Sequence, residues 1–297
     1  MAKLDVNIPD LTLPDGNKIP MIGYGTGTAW YKTDASSPKD KALIEAAKTA
    51  IKVGYYHLDG AEVYNTEEEL GEAIKESKHP RDKLFVTTKV ITHIDDIPAA
   101  IDRSLKKLGL DHVDLYLIHA PFFAKGDKKA LQQKWADMEQ VAASGKAKSI
   151  GVSNFGKKDL DAILETAKVR PAINQIEFHP YLQHGDLLAY HKSKDIKVAA
   201  YAPLTPVTKA KGGPLDGYLE QLAKKYGVNP GEILLRWCTE QNVVAITTSS
   251  KEQRMSDMLR IFTFNLTPKE VEEISTKGNS HHFRAFWNHI FDDNDRT

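Results

Sequence analysis

Eight short apolar runs rich in β-forming residues recur along the chain, at 21–26, 55–59, 84–89, 115–119, 148–152, 172–177, 197–201 and 243–247. Their spacing is that of strand-plus-helix units, and the stretches between them carry helix-start signals. Ser37-Pro38 precedes Leu43-Ile44, Thr66 stands before Glu69 at capping-box spacing, and Asn229-Pro230 precedes Ile233-Leu234-Leu235. Strand and helix patterns that alternate in this way predict a parallel sheet closed into an α/β (β/α)8 TIM barrel. Ahead of the first unit, Asp15-Gly16 separates two short apolar segments within 11–19, a β-hairpin signal. Such a hairpin is placed to plug the bottom of the barrel. No Gly-, Ser- or Pro-rich linker divides the chain, so residues 1–297 are expected to form one domain, with a C-terminal tail over 278–297. Longer irregular regions, 120–130 and 203–215, follow the fourth and seventh runs, where specificity is usually built.

Charge excludes several function classes. Forty basic and forty acidic residues cancel, so no overall field recruits nucleic acid or an acidic membrane surface. Any anionic ligand must be held locally. The single cysteine, Cys238, sits among Leu234, Leu235 and Trp237 and reads as a buried small hydrophobe in a reducing compartment. Met1-Ala2-Lys3-Leu4-Asp5 lacks the apolar core of a signal peptide, and no run approaches bilayer-spanning length. The expectation is a soluble, cytoplasmic protein with no nucleic-acid or membrane partner, monomeric or weakly homodimeric.

Asp59, Lys89 and His119 each close an apolar run, at intervals of 30 residues. If those runs are neighbouring parallel strands, a carboxylate, an ammonium and an imidazole converge on the C-terminal rim of the barrel, the face that carries chemistry in this architecture. Five residues beyond Asp59 lies Tyr64, close enough to fold back over the same rim and act as a proton donor. A free phenol has a pKa of about 10, and a nearby ammonium lowers it. Lys89 is expected to supply that field, with Asp59 holding Lys89 and His119 orienting a substrate oxygen toward Tyr64. These roles suit general acid catalysis at a carbonyl. The plainer reading is a structural Asp59–Lys89 ion pair beside a core histidine and a packing tyrosine. It explains each residue separately without explaining their common rim.

Two other motifs fail on inspection. Gly23-Tyr24-Gly25-Thr26-Gly27-Thr28 misplaces the third glycine of a dinucleotide fingerprint, and Gly151-Val152-Ser153-Asn154-Phe155 lacks the last glycine of a hydrolase elbow. A metallohydrolase built on His57, Asp59, His93 and His119 would set Lys89 beside the metal, so no metal is expected.

From His57-Leu58-Asp59-Gly60-Ala61-Glu62-Val63-Tyr64 through Lys89 and His119, the chain resembles the aldo-keto reductase superfamily nearly end to end. Asp59, Tyr64, Lys89 and His119 fall where that family's catalytic tetrad lies. The resemblance implies hydride transfer from NADPH to an aldehyde or ketone, with Tyr64 protonating the nascent alkoxide. It places Ser153, Asn154 and Gln175 on the nicotinamide carboxamide and stacks Tyr201 on the ring. Thr26, Gly27, Thr28 and Asp59 join the cofactor contacts. The pattern departs in places. Gly60 follows the aspartate, and Ala202 replaces a serine used for pyrophosphate contact, a role expected to pass to backbone amides around Leu204 and Thr205. Thr248 stands where many relatives carry a lysine.

Downstream of Thr248, Ser249, Ser250, Lys251 and Arg254 gather hydroxyls and cations at the predicted start of the last barrel helix, a phosphate cradle favouring NADPH over NADH. The plainer alternative is a solvated face balanced by Glu252 and Asp257.

Trp30, Tyr31, Phe122 and Phe123 follow the first and fourth runs, and His282, Phe283, Phe286 and Trp287 decorate the tail. Trp30, Phe122 and Trp287, with Tyr64 and His119, form the expected substrate pocket, while Phe123 and Phe283 are expected to anchor loops. Gly27 occupies a position where relatives carry a pocket tryptophan, which Trp30 is expected to replace. His119-Ala120-Pro121-Phe122-Phe123, Asn174-Gln175-Ile176-Glu177-Phe178-His179-Pro180, Thr247-Thr248-Ser249-Ser250-Lys251 and Arg284-Ala285-Phe286 are similar to the fungal conjugated polyketone reductases and the yeast α-keto amide reductase. That subgroup implies activated vicinal dicarbonyls as substrates: ketopantoyl lactone, isatins, α-keto esters or amides. The competing function is an NADPH-binding sensor or interaction protein without useful turnover.

Overall fold

The protein is described by a computed structural model that covers residues 6–292 and 294–297. Met1–Asp5, read above for the absence of a leader core, lies outside the described residues. Strands β1 (Asp10–Thr12) and β2 (Lys18–Pro20) pair antiparallel with Leu11 opposite Ile19, and Gly16 turns the chain between them at φ +88°. Eight parallel strands follow: β3 (Ile22–Gly25), β4 (His57–Asp59), β5 (Phe85–Val90), β6 (Val113–Ile118), β7 (Ala147–Ser153), β8 (Ile173–Glu177), β9 (Lys197–Tyr201) and β10 (Val243–Thr247). They pair in chain order, and β10 returns to β3 to close the barrel.

Two apolar cores hold this arrangement. The larger lies between the strands and the helical ring and contains Leu58, Val86, Tyr116, Trp135, Leu234 and Trp237. The smaller fills the N-terminal end of the barrel with Phe85, Leu115, Ile173 and Val244, and Leu13, Ile19 and Met21 of the hairpin region complete it. The hairpin therefore does plug the bottom. Cys238 is fully buried in the larger core.

The helix starts differ from expectation in their chemistry. Asn229 does cap Pro230–Glu240, with Glu232 reaching back to the Asn229 amide at 3.0 Å. Lys41–Val53 is capped by Asp40, whose carboxylate accepts from Ala42 N and Leu43 N, rather than by Ser37-Pro38. Thr66 stands at the N-cap of Glu67–Ser77 without making a capping box. Its hydroxyl donates instead to Thr26 Oγ1 at 3.2 Å, and Glu69 is engaged by Lys32 at 2.6 Å. Long-range partners have displaced the local ones.

After the helix Pro268–Asn279 the tail returns across the C-terminal ends of the strands. The Phe283 amide donates to Tyr181 O at 3.2 Å, and the amides of Ala285 and Phe286 reach the carboxylate of Glu177, the last residue of β8. Among the described residues no helix is long and apolar enough to cross a membrane.

Candidate functional site

Parallel pairing in register carries the three strand-end groups to one rim. Asp59 lies opposite Thr87, two residues before Lys89, and Lys89 lies opposite Leu117, two before His119. Lys89 is wholly buried; its Nζ donates to Asp59 Oδ1 at 2.6 Å and to Gly60 O at 2.9 Å. The other Asp59 oxygen accepts from Gln175 Nε2 at 2.8 Å. Tyr64 arrives by a short 3-10 turn, Glu62–Tyr64, which ends at Asn65 in the left-handed region, φ +56°. Asn65 Nδ2 donates to Lys32 O at 2.8 Å, and the Glu62 carboxylate accepts from the amides of Ile91 and His93 at 2.6 and 3.0 Å. Held at both ends, the turn points the Tyr64 hydroxyl at His119 Nε2, 3.3 Å away. The Lys89 ammonium lies 5.2 Å from the centre of the Tyr64 ring.

This geometry corrects one expectation. Burial pushes the Tyr64 phenol above its ordinary value, and the Asp59 charge pushes it further. Lys89 does not reverse this, because its ammonium is directed at Asp59 and Gly60 rather than at the phenol oxygen. Tyr64 is therefore loaded with its proton across the neutral range. Burial lowers Lys89 itself, against the pull of Asp59. Burial, followed by the Lys89 charge, holds His119 well below the usual histidine value. A neutral imidazole thus faces a neutral phenol over a buried ion pair. That pairing can hold a carbonyl oxygen and give it a proton.

The expected cofactor residues form one connected set. The Ser153 hydroxyl donates to Gln175 O at 2.7 Å, and Asn154 Nδ2 donates to His119 O at 2.9 Å. Tyr201 closes the set by donating to Asn154 Oδ1 at 2.7 Å. Asn154 occupies the left-handed region at φ +62°, tolerated by asparagine, which aims its amide across the rim. Thr26 joins β3 to Asp59 through its amide at 2.9 Å and its hydroxyl at 3.2 Å, both to Asp59 O. A Cβ on Gly27 would lie 2.8 Å from Tyr64 Cζ, so this glycine makes room for the phenol ring. Thr28 is exposed beside it. The Thr205 amide is already bound to Ala202 O at 3.1 Å, which removes it from the expected pyrophosphate contacts and leaves Leu204, one residue before it.

At the end of β10, Tyr24 donates to Ser249 O at 3.0 Å, and the Ser249 hydroxyl accepts the Lys251 amide at 3.0 Å. Lys251 is the N-cap residue of Glu252–Leu259, with Arg254 in its first turn. Ser250, Lys251 and Arg254 are exposed. The nearby acids do not balance them: Glu252 pairs with Lys52 at 3.2 Å, and Asp257 approaches Arg260 at 3.6 Å. Two cations at a helix N-terminus, with no ion pair among the described residues, fit an anionic group.

Trp30 is half-buried and packs against the larger core. Its indole N–H needs an acceptor and finds Thr248 Oγ1 at 3.2 Å, on the phosphate-cradle side. Tyr31, its neighbour, lies edge-on to Tyr64 at 6.2 Å instead. Phe122 and Trp287 do meet, ring centres 4.9 Å apart, and Phe286 meets Tyr201 at 5.5 Å. Phe123 and Phe283 pack against the outer core as loop anchors. A cavity of about 670 Å³ opens beside the tail, bounded by Phe122, Lys157, Arg284 and Phe291; it reaches Asn154 and Tyr201 but neither Tyr64 nor His119. Sequence reasoning missed the part played by Glu177. The signal was present, since Glu177 closes an apolar run just as Asp59 does.

Among the described residues, no cluster of three or more His, Cys, Asp or Glu side chains is arranged to hold a metal. The model for the aldo/keto reductase family matches residues 21–279. The chain is 43% identical over 294 residues to the NADPH-dependent alpha-keto amide reductase of Saccharomyces cerevisiae, covering 94% of each. It is 40% identical over 277 residues to the NAD/NADP-dependent indole-3-acetaldehyde reductase of Schizosaccharomyces pombe, covering 93% of this chain and 97% of that one. The solved structure of a Bombyx mori aldo-keto reductase in complex with NADP superimposes with a TM-score of 0.80 at 34% identity, over 92% of this chain and 93% of that one.

Proposed function

The chain belongs to the aldo/keto reductase family, and from that premise we propose that it is an NADPH-dependent reductase of activated vicinal dicarbonyls, such as ketopantoyl lactone, isatins and α-keto esters or amides. The observation that carries the chemistry is the Tyr64–His119 contact above the buried Lys89–Asp59 pair.

When bound, the reduced dinucleotide supplies the hydride. Ser153, Asn154, Gln175 and Tyr201 hold its nicotinamide end, and Ser249, Ser250, Lys251 and Arg254 hold the 2′-phosphate. The neutral His119 ring hydrogen-bonds the substrate oxygen and turns it toward Tyr64. As negative charge develops on that oxygen, the Tyr64 hydroxyl donates its proton. The phenolate left behind faces the Lys89 ammonium across its own ring until solvent returns the proton. The electron-poor carbonyl of a vicinal dicarbonyl accepts a hydride readily, so a positioned general acid suffices for its reduction. The aromatic pair Phe122–Trp287 and the similarity to an alpha-keto amide reductase support the same class.

The test is loss of reduced-nicotinamide absorbance with isatin, an α-keto ester and a plain ketone, with and without a chelator. Fast, chelator-independent oxidation with the dicarbonyls is expected. A preference for the plain ketone would overturn the substrate class, and binding of NADPH without oxidation would favour the sensor.

A further inference from the structure

We propose that Glu177 is a positioning residue whose carboxylate latches the tail at Ala285–Phe286, and so sets the aromatic wall that selects bulky substrates; this rests on the reductase reading above. Glu177 is buried at the C-terminal end of β8. Its Oε1 accepts from the Ala285 amide at 2.7 Å and from His179 Nε2 at 2.9 Å, and its Oε2 accepts from the Phe286 amide at 3.0 Å. Among the described residues no lysine or arginine comes within ion-pair distance of Glu177; the Arg284 guanidinium, one residue before Ala285, acts on it only through its longer-range charge, and His179, held low by burial, is a neutral partner. A buried carboxylate in that position depends on hydrogen bonds for its solvation. Successive tail amides, one on each oxygen, provide them.

The latched segment carries the wall. Phe286 packs on Tyr201 and Trp287 on Phe122, and Trp287 holds a left-handed backbone, φ +62°, a conformation that survives in a bulky residue only where its surroundings enforce it. Tyr201, on which Phe286 packs, is itself fixed by its hydrogen bond to Asn154, and Asn154 by the His119 carbonyl, so the wall is seated on the rim without touching the reacting atoms. Gln at position 177 would keep one acceptor oxygen and turn an NH2 toward the second tail amide. Donor would face donor, and the segment would detach.

Three measurements test this. In the unaltered protein, the Ala285 and Phe286 amides should exchange at least about a hundredfold more slowly than those of Asn288 and His289. In Glu177→Gln that protection should be lost, while amides of β6 keep theirs. The ratio of kcat/KM for isatin to kcat/KM for 2,3-butanedione should fall about tenfold, through KM for isatin, because the small four-carbon diketone does not reach the wall. Trp287→Ala should reproduce the ratio change without releasing the two amides, and it stands as the test of the wall if Glu177→Gln does not fold. Unprotected amides in the unaltered protein would overturn the latch. An unchanged ratio in either variant, or an equal loss of kcat on both substrates, would overturn the specificity role. If the unaltered protein reduces no dicarbonyl, the reductase reading falls, while the amide protection still reports on the latch.

Discussion

Replacing both cations at the start of the last barrel helix, Lys251→Ala with Arg254→Ala, should raise the Kd for NADPH by about a hundredfold and leave that for NADH within about threefold. At about 4 Å in water a unit charge pair is worth roughly 1 kcal/mol. A phosphate monoester carries about −1.5 to −2 at neutral pH, so each exposed cation contributes about tenfold after its own side-chain ordering is counted. The structure supports counting both in full, because Glu252 and Asp257 are engaged by Lys52 and Arg260 and do not neutralise them. Two controls follow from the same geometry. Lys52→Ala releases the Glu252 carboxylate beside the cradle and should weaken NADPH by a few-fold. Raising salt to about 1 M, where the Debye length is about 3 Å, should erase most of the preference for NADPH in the unaltered protein and little of what remains in the double variant. Kd values come from quenching of protein fluorescence by each dinucleotide. Equal weakening of NADPH and NADH would refute the phosphate assignment and return these residues to a solvated helix face.

The pH dependence of reduction follows from the directions of the two shifts. Tyr64 acts protonated and its pKa is raised, so activity is not lost as pH climbs toward 10; His119 acts neutral and its pKa is depressed, so activity is not lost until pH falls well below 6.5. With NADPH saturating, kcat/KM for the dicarbonyl should be flat between these limits, and an acid limb centred near 6.5 would contradict the buried setting of His119. Stability should behave differently. Burial holds His57 and His191 at about 4, and His191 Nε2 accepts from Asn174 Nδ2 at 2.9 Å. The unfolded chain therefore binds protons more readily between pH 6.5 and 4, and Tm should fall as pH drops through that window, less so in His191→Asn. Lys89→Met leaves Asp59 buried without its cation and should cost about 3–5 kcal/mol in urea unfolding. Adding Asp59→Asn should restore most of that stability and none of the turnover; restored turnover would show the pair to be structural only.

The barrel was legible because its signal is redundant: eight apolar runs, each confirmed by the spacing of the next. Asp59, Lys89 and His119 were legible for the same reason, since a polar residue closing a buried run is conspicuous. What escaped depends on partners distant in the chain. Thr66 and Glu69 have the spacing of a capping box, but Thr26 and Lys32 bind them first. The Trp30 N–H is satisfied by Thr248, 218 residues away, a partner that no local pattern signals. The direction of the Tyr64 shift could not be read from the presence of a lysine, because burial of the phenol raises it first and the Asp59 charge adds to that, while the ammonium is taken up by Asp59 and Gly60. Glu177 closes a run as Asp59 does, but its role did not show, because two of its partners are backbone amides of the tail and main-chain groups leave no mark in side-chain composition.

Single-turnover reduction of isatin by Tyr64→Phe, with NADPH binding measured in the same preparation, bears most directly on the phenol as proton donor. Loss of one hydroxyl at a fully folded site should leave the Kd for NADPH within about twofold and slow the chemical step by about a hundredfold or more, the range set by removing a positioned general acid. Turnover within a few-fold of the unaltered protein, at undiminished cofactor affinity, would show that the proton comes from elsewhere.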